Sequence, residues 1–235
     1  MLNRIAVACV LFAGVMNAQG PGKSPHAVRA AGEATVTAKP DRARVTLGVQ
    51  TQGKTAQAAS AENATEVSRV LDVVKRTLGS GGEVKTENYS VSPQYEYPKD
   101  GGGPGKIVGY RASNTVEITI DDLALTGKVI DAATQSGANN VEGIAFMLKD
   151  PSAIQARALA EAATNARSNA EAIAKALHLQ VTGVLEAVAD GGRPPVRPMM
   201  MMQSRAMGAM AKESTPVEAG NLEVQASVTV TLEVQ

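Results

Sequence analysis

The chain has 235 residues, 44% of them hydrophobic, with 23 basic and 23 acidic side chains. That length and apolar content support a packed core and exclude a disordered chain. Balanced charge gives no reason to hold a phosphate backbone, and 3% aromatics with no Trp leave little to stack on bases, so nucleic acid is not an expected partner.

The first twenty residues, MLNRIAVACVLFAGVMNAQG, place one cation, Arg4, ahead of an uncharged run from Ile5 to Val15 and small residues near Ala18. This is the order of a secretory signal peptide, and the run is too short to span a bilayer. Residues 1–18 are therefore read as a leader cleaved near Ala18, and the protein as periplasmic or secreted. Cys9, the only cysteine, lies inside the apolar run, so the mature chain has no thiol and owes its stability to packing rather than disulfides. Residues 19–29 read as a flexible lead-in.

RARVTLGVQ alternates Val45, Leu47 and Val49 with polar residues, the period of a half-buried strand. The period then changes. Val67, Val70, Leu71, Val74 and Leu78 fall on one helical stripe, with Thr55 placed to cap its start and Gly79 to end it. ENYSVSPQYEY and KIVGYRASNTVEITI are two alternating runs around PKDGGGPGK, which predicts a long hairpin with a loose tip. Asp121 or Asp122 caps a short helix through Val129, Ile130 and Ala133, and NVEGIAFMLKD follows as a strand. Asp150 and Pro151 open a third, alanine-rich helix to about Leu177, whose expected stripe is Ile154, Ala158, Ala162, Ala166, Ile173 and Leu177. A strand from Val181 to Val188 is expected to pair with the cleanest strand of the chain, LEVQASVTVTLEV, which places seven apolar residues on one face and six polar residues on the other. The predicted class is α+β, with mixed or antiparallel sheets and three main helices packed on them.

GEATVTAKPDRARVTLGVQTQGKTAQAA, GYRASNTVEITIDDLALTGKVIDAATQSGANNVEGIAF, ARALAEAATNARSNAEAIAKAL and PVEAGNLEVQASVTVTLEV together resemble the SIMPL-domain family. The similarity covers about residues 30–235, read as one domain, and its most specific piece is GYRASN, in which Arg111 and Asn114 match the motif. The resemblance implies a bacterial periplasmic protein associated with oxidative-stress defence, without catalytic residues to carry over, and a self-assembling role in the envelope.

Chemical groups are sparse. His26 and His178 form no metal-ligand spacing, no Ser sits in a nucleophile elbow and no phosphate loop is present, so neither an enzyme nor a cofactor is expected. His178 reads as a helix C-terminal residue. Arg111 and Asn114 read as a satisfied structural pair bonded to backbone groups, or else as a ligand or subunit contact.

The remaining candidate is methionine. Met199, Met200, Met201, Met202, Met207 and Met210 put six of the nine methionines into twelve positions. Thioethers are soft ligands for Cu(I), and they also absorb oxidant as sulfoxide. Four consecutive methionines do not face one ligand on a regular element, and Arg193, Arg197 and Arg205 repel a cation. The favoured reading is a contact surface that packs on its own sheet, a second subunit, another envelope protein or a membrane surface, since methionine is unbranched and adaptable. The expected partner is a second copy of the chain.

Overall fold

The computed structural model describes residues 26–98, 103–191, 194–198 and 215–235. The expected leader with its expected cleavage site and the six clustered methionines lie outside the described residues.

In chain order the strands and helices are β1 (Ala27–Ala38), β2 (Arg42–Gly53), α1 (Ala56–Leu78), β3 (Gly82–Glu96), β4 (Lys106–Ile120), α2 (Thr126–Gln135), β5 (Asn140–Met147), α3 (Ser152–Ala176), β6 (Val181–Asp190), β7 (Val196–Pro198) and β8 (Leu222–Val234). They form two antiparallel sheets, each with helices on one face, so the fold is α+β.

The first sheet has the order β1, β8, β6, with the short β7 also paired to β8. The alternation of β8 is realised: Leu222, Val224, Ala226, Val228, Val230, Leu232 and Val234 are all buried. Alanines lie over them. α3 buries Ala158, Ala162, Ala166, Ala170 and Ala174, one residue per turn, so the large side chains Ile173 and Leu177 expected on the stripe instead face solvent. The reason is distance. A Cβ on Gly32 of β1 would stand 2.0 Å from the backbone nitrogen of Ala166, an approach that only glycine on the strand and small residues on the helix allow. Asn165 and Asn169 of α3 then donate to the Glu33 and Ala31 carbonyls of β1, at 2.8 and 2.9 Å.

The second sheet has the order β3, β4, β2, β5. Val45, Leu47, Val49, Val116, Ile118 and Ile120 form its inner face, under Val67, Val70, Val74 and Leu78 of α1 and Val129 and Ile130 of α2. α1 begins and ends where the sequence predicts: the Thr55 hydroxyl accepts from the Ala58 amide at 3.2 Å, and Gly79 has φ 56. Asp122 caps a short 3-10 turn, Leu123–Leu125, that leads into α2.

Residues 42–147 thus build the second sheet with its helices as an insertion between β1 and α3, and each sheet has its own apolar cluster. Charges tie the two ends of the insertion together. Asp121 accepts from Arg42 at 2.7 Å and from Lys149 at 3.2 Å, while the Lys149 amide donates to Asp41 at 2.7 Å. The guanidinium of Arg42 first, then the Lys149 ammonium, hold the Asp121 carboxyl below its ordinary range. A second tie joins the segment before β8 to α2: the Thr215 hydroxyl and amide both donate to Asp131 and lower its pKa.

Candidate functional surface

Arg111 and Asn114 are on one strand but three residues apart, so they lie on opposite faces of the sheet. Arg111 is outside, where the Gln94 side-chain oxygen, turned toward the guanidinium, accepts at 3.0 and 3.2 Å. Asn114 is inside, opposite Val49 and Tyr89, and its buried Oδ1 has no hydrogen-bond partner among the described residues. The two do not meet.

Sequence reading missed Asn63, which is fully buried in the same region. Its amide donates to the Val49 carbonyl at 2.9 Å and the Ala112 carbonyl at 3.4 Å, fixing α1 to β2 and β4. The signal was present: Asn63 stands four residues before Val67 on the apolar stripe of α1.

The outer face of the second sheet is polar. A cavity of about 290 Å³ is lined by Arg44, Thr46, Glu87, Glu142, Gly143 and its neighbours on β5. Glu142 accepts from Thr115 and Asn140 at 3.3 and 3.2 Å, and Glu117 lies 3.2 Å from Arg44 and 3.6 Å from Lys85. Both carboxylates are thus charge-paired or hydrogen-bonded. Among the described residues no group of three His, Cys, Asp or Glu side chains comes together to hold a metal. His178 sits at the left-handed position after α3, with φ 58, its amide donating to the Lys175 carbonyl at 3.1 Å.

Large apolar side chains are exposed at Tyr89 and Val91 on the edge strand β3 and in three further places. β2 ends at Gly53, opposite Tyr110, so the end of the β3–β4 hairpin continues as an arm two strands wide. It carries Tyr95, Tyr97, Ile107 and Val108 in water, and the Tyr97 ring lies over Gly105. At the opposite edge of the same sheet β5 exposes Val141 and Ile144. In the first sheet α3 packs on β1 and β8, and among the described residues Val181, Val184, Leu185 and Val188 of β6 are exposed, as are Ile173 and Leu177 at the C-terminal end of α3. Each of these partly exposed side chains forgoes a part of the roughly 1.5–3 kcal/mol that full burial gives. All three places lie at or beyond sheet edges, where unpaired backbone groups are also offered.

The family model for SIMPL, described as a protein of unknown function (DUF541), matches residues 28–232. The chain belongs to the SIMPL family. Among its SIMPL relatives, a 26 kDa periplasmic immunogenic protein of Brucella melitensis is 31% identical over 215 residues, 90% of this chain and 86% of that one. An uncharacterized protein of Escherichia coli, YggE, is 26% identical over 232 residues, 97% of this chain and 93% of that one. The YggE of Edwardsiella ictaluri is 31% identical over 165 residues, 70% and 67% of the two chains. A crystal structure of an amidase of the hydantoinase/carbamoylase family from Burkholderia multivorans is similar over 52% of this chain and 28% of that one, with 17% identity and a TM-score of 0.21, a likeness that carries no argument. Among the described residues of this SIMPL chain no helix is long and apolar enough to cross a membrane.

Proposed function

We propose that this SIMPL protein is exported to the periplasm, turns over no substrate, and acts as a self-assembling scaffold that supports tolerance of oxidative or envelope stress. The observation that carries the reading is the exposed apolar surface at sheet edges: Tyr95, Tyr97, Ile107 and Val108 on the arm, Val141 and Ile144 on β5, and Val181, Val184, Leu185 and Val188 on β6. An edge strand with apolar side chains is a template for pairing with another chain, and β5 and β6 keep such edges with neither proline nor lysine along them, whereas the arm carries Lys106 and Pro93. β6, VTGVLEAVAD, has neither residue. The leader-like N-terminus and the periplasmic name of the Brucella relative support the location.

The test is genetic and physical together. A deletion strain is challenged with peroxide and with an envelope stress, then complemented with the wild type and with an assembly-defective Val184→Glu variant. Protection restored by the wild type alone is the expected result. Equal protection by both, with the variant shown to be monomeric, overturns the scaffold reading.

A further inference from the structure

The self-assembling reading leaves open which surfaces meet. We infer that the bare β6 edge of one copy adds as a strand to the free edge of β4 at the arm of a second copy. This rests on the scaffold reading above and names its interface.

The receiving edge exists because β2 stops short. Residues Lys106 to Gly109 of β4 pair with β3 on one side, and among the described residues no strand pairs with their other side. The incoming edge exists because, among the described residues, β6 pairs with β8 alone and its other side is unpaired. Both edges are strands of antiparallel sheets, so main-chain hydrogen bonds can form between them without a change of fold.

Side chains agree with this match. By register, Val181, Val184, Ala187 and Ala189 of β6 lie on the same face as the buried residues of β8, yet Val184 is 56% exposed because α3 does not reach it. Leu177, 60% exposed, stands at the end of α3 next to that face. A second copy's arm brings Ile107, Val108, Tyr95 and Tyr97, the last 68% exposed, against this trough, and both partners lose apolar surface to water.

Charge sets the pairing. β6 carries Glu186 and Asp190 and no cation. The receiving notch carries Lys106 on β4, with Arg111 and Lys54 flanking it where β2 ends; among the described residues of the arm beside it the acid is Glu96, across from Lys106. An acidic edge against a basic notch favours the unlike pairing, whereas two β6 edges brought together set acids against acids.

The contact is heterologous, because each copy has one notch and one β6 edge. Such contacts repeat head to tail and end in a closed ring or an open filament.

The test uses engineered cysteines in a Cys9→Ser background, which holds no other thiol. Ile107→Cys and Val184→Cys variants of the full chain are expressed for export, recovered and mixed under mild oxidation. Disulfide-linked dimers are expected when the two are mixed and not from either alone. Cross-linking of Val184→Cys with itself, or none in the mixture while the wild type remains oligomeric, overturns this interface but leaves self-assembly standing. A wild type that is monomeric overturns both. A charge exchange gives a second readout that does not depend on cross-linking geometry. Lys106→Glu and Glu186→Lys should each weaken assembly by roughly fivefold, and the double variant should recover most of the loss. Losses that simply add in the double variant would contradict the pairing.

Discussion

Asp121 shows how much one side chain can organise, since it receives both Arg42 and Lys149 at the ends of the inserted segment. Its pKa is depressed in the folded state by those two donors, so its contribution is present above the ordinary value of 3.8 and is lost as pH falls through the folded-state value. Asp121→Asn should therefore lower the Tm near neutral pH, and the gap to the wild type should close as the pH is taken below about 4. Thermal scans of both proteins across that range check this; a gap that persists at the acid end contradicts it. Asn63 is the corresponding buried case. Its amide bridges two strands, and Asn63→Ala should cost about 1–3 kcal/mol in denaturant unfolding, because polar groups it satisfied are left without a partner. At this scale the sequence was partly readable. The opposite facing of Arg111 and Asn114 follows from strand parity alone, whereas the Gln94 partner of Arg111 comes from the register of a hairpin with bulges, which no local pattern encodes.

Among the elements, α3 and β1 depend on each other through small residues. Gly32→Val should destabilise the protein by about 1–3 kcal/mol or more, since any side chain there meets the backbone of α3 at Ala166. A measured loss of only a few tenths would mean that α3 can lift away from β1. The same closeness explains why α3 was only half legible. Its alanines at 158, 162 and 166 were on the expected face, but the stripe continues through Ala170 and Ala174, because Ile173 and Leu177 are too large for the gap. α1 was legible down to its caps, since its helical stripe, Thr55 and Gly79 all act within the segment itself. β1 was not. AVRAAGEATVTA is rich in alanine, and its strand partner is β8, about two hundred residues away, with Ala27 opposite Glu233. β7, three residues long, is too short for any period to appear.

The molecule as a whole consists of two helix-backed sheets whose edges are open among the described residues, and the proposed assembly works through those edges. In sequence the methionine-rich segment lies between Pro198, the last residue of β7, and Thr215, whose amide donates to Asp131 of α2. If it acts by apolar contact, changing Met199, Met200, Met201, Met202, Met207 and Met210 together to leucine should leave assembly and stress protection unchanged, because leucine keeps the bulk and removes the sulfur. Loss of protection with assembly intact would instead assign the segment to oxidant consumption or Cu(I) binding. The most direct test of the account is the native mass of the processed chain recovered from a bacterial periplasm, measured over a wide concentration range. A mass several times that of one chain is expected, reduced to one chain by Val184→Glu. A single-chain mass at every concentration would contradict it.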